Sequence, residues 1–89
     1  RGYFAIGRFK IYISKMSEGI KYMEKAAIAG WPEGYYVLGL MKMQGIGMKQ
    51  DRRRGRVLLE QAAAAGVSAA REVIRNKGKV NFLQALQSI

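Results

Sequence analysis

The sequence predicts an all-α chain, an α-solenoid of about two helix-turn-helix repeats closed by a C-terminal capping segment, and three observations carry that expectation. Proline occurs once, at Pro32, and the 11 glycines are scattered singly. Between them the apolar residues recur at the three- and four-residue spacing of helices rather than the alternation of strands. The chain also repeats itself. Glu24-Lys25-Ala26-Ala27-Ile28-Ala29-Gly30 superposes on Glu60-Gln61-Ala62-Ala63-Ala64-Ala65-Gly66 at an offset of 36 residues, Glu24 to Glu60. Upstream, the stretch from Gly2 to Lys10 pairs with that from Gly34 to Lys42 at an offset of 32, Gly2 to Gly34. The four-residue difference is a loop length, supplied by Gln44-Gly45-Ile46-Gly47-Met48 in the second copy.

Each element then has a local reason. The first helix is expected near residues 2–12, followed by a tight turn around Ser14 to Ser17. The second runs near 17–29, with Ser17 or Ser14 as its N-cap oxygen and Gly30 where a left-handed residue ends it. Pro32 stands at or near the start of the third, near 33–44. Asp51 caps the fourth, near 51–65, which Gly66 terminates. A fifth near 68–76 and a short one near 80–88 complete the chain. The expected organisation is a single domain, 1–89, with repeats at 2–30 and 34–66 and a terminal cap at 67–89.

A lone hairpin of this kind cannot bury its apolar face, whereas stacked neighbours can. Gly7 and Gly39 lie inside helices, where each costs about 1 kcal/mol against Ala. A close helix crossing offsets that cost, and Ala26, Ala27, Ala62 and Ala63 are the small surface expected to press in. Tyr22 and Leu58, equivalent by the 36-residue offset, are the large side chains expected between layers. In the last unit Ile74 keeps the position of Ile6 and Leu38, but Arg75 replaces the glycine. Val80, Phe82, Leu83, Leu86 and Ile89 are then expected to cover the end of the stack.

Composition narrows the function. With no Cys and no His, disulfide scaffolds, zinc fingers, thiol nucleophiles and imidazole bases are excluded. The acids Glu18, Glu24, Glu33, Asp51, Glu60 and Glu72 have no such group beside them, and Glu24 and Glu60 are copies of one repeat position. The expectation is no catalytic, metal or cofactor site. No apolar run approaches the ~18 residues of a membrane span. The start at Arg1 suggests a fragment or processed chain without a signal peptide, and together with the missing Cys it leans toward an intracellular setting. Sixteen Lys plus Arg against six Asp plus Glu give a formal charge of +10, which favours acidic partners.

The middle of the chain resembles the Sel1-like repeats, α-solenoids related to tetratricopeptide repeats. Tyr36, Leu38, Gly39, Gly45, Gly47, Asp51, Ala62, Ala63 and Gly66 match that family's pattern. Departures are Gly34 for Ala, Lys42 for a second Tyr, Met48 for Val, Arg54-Gly55 for Lys-Ala, and Leu58 for an aromatic residue. In the first copy Tyr22, Ala26, Ala27 and Gly30 hold register. The resemblance implies an adaptor or scaffold that assembles proteins.

Candidate contact residues fall into three groups. Arg52, Arg53, Arg54 and Arg56 form the densest charge, either a solvated helix face or a site for acidic protein, phosphate or nucleic acid. Arg71 and Arg75, with Lys77 and Lys79, form a second basic run, either a polar end cap or a site. Tyr3, Ile6, Gly7 and Lys10 share one helical stripe, repeated by Tyr35, Leu38, Gly39 and Lys42, and are either core or a ladder for an acidic peptide. Trp31 and the five Met read as packing, and Gly45-Ile46-Gly47 as a turn, because a phosphate loop follows a strand. The leading expectation is a non-catalytic interaction module for an acidic protein or peptide. The alternative is a nucleic-acid-associated scaffold. Oligomeric state is left open.

Overall fold

A computed structural model describes residues 2–12 and 15–89. It consists of α1 (Gly2–Tyr12), α2 (Met16–Ile28), α3 (Pro32–Gln44), α4 (Arg52–Ala64), α5 (Ser68–Arg75) and α6 (Phe82–Gln87). No strand occurs among the described residues. The first five helices pack in chain order, each against the next, and α6 returns to α3. This is the nearest-neighbour stacking of a short α-solenoid, with extents of 28 × 23 × 20 Å.

Helix ends follow local chemistry. Asp51 accepts a hydrogen bond from the Arg54 amide at 3.1 Å, and Asn81 accepts from the Gln84 amide at 3.0 Å, so α4 and α6 have side-chain caps. Pro32 opens α3 after an extended Trp31. Gly30 and Gly66 adopt φ of 89° and 105°. Around each, the chain closes a double turn, with Trp31 N donating to Ala26 O at 2.9 Å and Val67 N to Ala62 O at 3.0 Å. Both are Schellman endings, which satisfy carbonyls the helix leaves free. One expected cap fails. Ser17 lies inside α2, which follows Lys15 with no side-chain cap, while Ser14 lies outside the described residues. A backbone bond from Lys15 N to Lys10 O at 2.8 Å ties the start of α2 to the end of α1, and α2 begins at Met16, upstream of Ser17.

The small-residue crossings exist, but their partners are glycines. A Cβ on Gly7 would lie 3.1 Å from Gly19 O, and one on Gly19 would lie 3.1 Å from Gly7 O. Gly39 and Gly55 reproduce that reciprocity across α3 and α4. Ala26, Ala27 and Ala62 are buried in the core and Ala63 packs against it. Ala27 also serves the joint between the hairpins: a Cβ on Gly34 would meet Ala27 N at 2.7 Å and Met23 O at 2.8 Å. Small residues thus bring α1 onto α2 and α2 onto α3 alike.

The residues filling the space between layers also differ from expectation by one position. Tyr22 and Leu58 are only half-buried, whereas Met23 and Leu59 are 0% exposed and preserve the 36-residue offset. One step along a helix turns a side chain by roughly 100°, so adjacent apolar residues compete for the inward direction and the crossing angle decides between them. The remaining core is built chiefly from α3, with Tyr36, Val37, Leu40 and Met41 essentially inaccessible.

At the C-terminal end Phe82, Ala85 and Leu86 face inward, while Leu83 is 52% exposed and takes no part in the cover. Phe82, Ala85 and Leu86 share a face by their three- and four-residue spacing, and Leu83 falls beside it. Val80 and Ile89 pack partly buried against the same cluster. Gln44 ties the cap down, its Nε2 donating to Gly78 O at 3.0 Å and Val80 O at 2.7 Å.

Candidate interaction surface

The structure places the candidate residues in distinct surroundings. On the first repeat Tyr3 is 45% exposed, and its ring centroid lies 6.4 Å from that of Tyr22. Lys25 Nζ sits 5.7 Å from the Tyr3 ring and 5.4 Å from the Tyr22 ring, so the cation is held over two aromatic faces. Lys10 forms an ion pair with Glu18 at 3.3 Å across α1 and α2. On the stripe shared with Tyr3, Gly7 is buried and Ile6 exposed; on its counterpart in α3, Leu38 and Gly39 are buried and Tyr35 and Lys42 half-buried. The two stripes are therefore not one continuous exposed ladder.

The arginine run on the first turns of α4 is exposed, and three of its members have partners. Arg54 Nε pairs with Asp51 Oδ2 at 3.6 Å, Arg56 Nε with Glu60 Oε2 at 3.5 Å, and Arg52 Nη1 reaches Lys77 O at 3.5 Å. Arg53 has no partner among the described residues. On α5, Arg75 pairs with Glu72 at 3.0 Å, and Arg71 is exposed with no partner among the described residues. Asp51, which holds both the Arg54 amide and the Arg54 side chain, offsets part of the repulsion between these cations and the positive end of the helix dipole.

One grouping crosses element boundaries. Lys42 from α3 and Arg54, Val57 and Leu58 from α4 line a shallow groove of about 280 Å³ whose exposed surface is almost wholly apolar. Val57, half-exposed, was not a candidate on sequence grounds. Its signal lay in comparing the copies, because the equivalent residue 36 positions earlier is Lys21.

A second concavity lies between α3, α5 and α6, bounded by Tyr36, Val73, Val80 and Ala85. There the Tyr36 hydroxyl donates to Ala85 O at 3.3 Å. Burial pushes its pKa above the usual phenol value, and a hydrogen bond with Ser88 counteracts part of that shift. The Gly45–Gly47 segment is a turn, with both glycines at φ of 71°. It folds back on the preceding helix pair, since a Cβ on Gly47 would lie 3.1 Å from Ile20 Cδ1. No group of three or more His, Cys, Asp and Glu with metal-binding geometry occurs among the described residues. None of their helices is long and apolar enough to cross a membrane.

The model of the Sel1 repeat matches residues 12–31 and 32–67. The second match takes in α3, the glycine loop and α4 entire, and the first centres on α2. No curated protein and no solved structure matches the chain.

Proposed function

This chain belongs to the Sel1 repeat family, whose repeats generally mediate protein–protein interaction and whose members are typically non-catalytic scaffolds, and we propose that it works as a non-catalytic docking module for acidic protein surfaces or peptides. The single observation that supports this reading is where the charge is spent. Glu18, Asp51, Glu60 and Glu72 each pair with a cation of the chain itself. The excess behind the net +10 therefore stays on the surface, where it raises encounter rates with negative partners and selects among them. Arg53, Arg71 and Lys42 are the cations best placed for this. In the same reading residues 1–89 are one domain, with repeats at 2–30 and 34–66 and a cap at 67–89.

Crosslinking mass spectrometry on cell extract identifies the partner, and the joint substitution Arg53→Glu and Arg54→Glu tests the basic surface. The expected result is loss of capture with helical content unchanged. Undiminished capture returns the cluster to a solvated face. A nucleic-acid scaffold instead shifts a mixed RNA and DNA pool at physiological salt, with affinity falling by about 10³ or more as salt rises a few-fold.

A further inference from the structure

Comparing the two hairpins position by position exposes one inversion. Lys10 of α1 and Lys42 of α3 are equivalent by the 32-residue offset of the first helices. Glu18 of α2 and Arg54 of α4 are equivalent by the 36-residue offset of the second helices, and each is the third residue of its helix. In the first repeat the lysine meets a carboxylate at 3.3 Å. In the second repeat the equivalent residue carries a guanidinium, and the side chains of Lys42 and Arg54 both border one groove whose exposed surface is almost wholly apolar. The floor changes in the same sense, because Val57 replaces Lys21 and Leu58 replaces Tyr22.

We propose that the Lys42–Arg54 groove binds a peptide segment of a partner protein that presents a carboxylate side chain next to a bulky aliphatic one. The carboxylate takes the place that Glu18 occupies in the first repeat, between the Lys42 ammonium and the Arg54 guanidinium. The aliphatic side chain covers Val57 and Leu58, removing from water the half-exposed valine. Asp51 does not fill that place. Its Oδ1 is engaged as the α4 cap, and its Oδ2 lies 3.6 Å from Arg54 Nε. Lys42 has no carboxylate partner among the described residues. Charge complementarity thus names the partner's ionic group, and the apolar floor names its neighbour. This inference rests on the docking reading above and narrows it to one groove.

The test is an amide-resolved NMR titration of the intact 89-residue chain with the blocked peptide Ala-Leu-Glu-Ile-Ala, its Gln counterpart, and a uridine decamer. The expected result is saturable shifts at residues 42, 54, 57 and 58 with the Glu peptide, and affinity lower by about fivefold or more with the Gln peptide. Arg54→Glu recreates the charge arrangement of the first repeat and puts a carboxylate in the first turn of α4, where the helix dipole favours it; it should cost about fivefold or more. Lys21→Glu makes the same charge change on the other repeat and should leave affinity within about twofold. Equal losses in the two variants, or shifts confined to α5 and α6, overturn the groove while leaving the docking reading in place. Shifts with the uridine decamer and none with the Glu peptide overturn both, and no shift with any probe overturns the groove.

Discussion

Gly39 and Gly55 meet where α3 crosses α4: a Cβ on the first would lie 3.0 Å from the second's carbonyl oxygen, and a Cβ on the second 2.9 Å from the first's. The obstacles around Gly39 include backbone, because Leu59 N is 3.1 Å away, so no rotamer change relieves the contact. Gly39→Ala gains about 1 kcal/mol of helix propensity but overpacks the crossing, typically by about 1–3 kcal/mol. The expected balance is destabilisation, read in thermal unfolding as a midpoint lowered by about 4–8 °C per kcal/mol. Gly2→Ala, with nothing within 4 Å of the new methyl, serves as the control and keeps or raises the midpoint. A Gly39→Ala midpoint at or above wild type would show that the two helices part without cost.

The Gly39–Gly55 contact marks the boundary of what the sequence makes legible. Asp51, Gly30 and Gly66 announce helix ends because a cap or a left-handed residue is a local requirement. The duplicated Ala-Ala stretch announces the stacking. Which small residue faces which is set by the crossing angle, a property of two helices together, so the pairing of Gly7 with Gly19 and of Gly39 with Gly55, and the full burial of Met23 and Leu59 beside Tyr22 and Leu58, became visible only in the packed helices. The candidate site divides the same way. Arg54 and Lys42 are visible as cations, but only the α3–α4 packing places them in one groove with Val57. A trace of that groove was present in the letters, in the replacement of Glu18 and Lys21 by Arg54 and Val57 between copies.

Asp51 performs two tasks at the head of α4, accepting the Arg54 amide at 3.1 Å and facing its side chain at 3.6 Å. Asp51→Ala removes the cap and leaves the neighbouring arginines against the positive end of the helix dipole. The expected loss is about 1–2 kcal/mol, the upper part of the usual range for a cap. Ser17→Ala, which removes no cap from α2, is expected to change stability by less than about 0.5 kcal/mol. Chemical denaturation of both variants makes the comparison, and equal losses would contradict the assignment of the caps.

Gln44 is the latch between the end of α3 and the segment leading into α6, donating through one nitrogen to Gly78 O and Val80 O. Gln44→Glu keeps the size and removes the donor, so two carbonyls face an acceptor. The expected effect is local. Hydrogen exchange in α6 should accelerate by roughly tenfold, the scale of one to two lost hydrogen bonds, while amides in α4 keep their protection. Uniform acceleration through α3 and α4 would show that the latch stabilises the whole stack rather than its cap.

Tyr36 links that cap to solution pH. Burial raises its pKa above 10.0 in the folded chain, with the Ser88 hydrogen bond acting the other way. In the unfolded chain the phenol releases its proton near the ordinary value, about 10. Above that pH the unfolded state therefore binds fewer protons than the folded state, and unfolding becomes easier as pH rises. The contribution is fully present below about pH 10 and is lost as pH climbs through the folded pKa. Tyr36→Phe removes the titration together with the hydrogen bond to Ala85 O. The variant is expected to start less stable near neutral pH, by about 0.5–1.5 kcal/mol for the lost bond. Its stability should then decline less steeply than wild type as pH rises above about 10. Parallel urea titrations across that interval measure the two slopes. Identical slopes would mean that the Tyr36 hydroxyl exchanges its proton with solvent as freely in the folded chain as in the unfolded one.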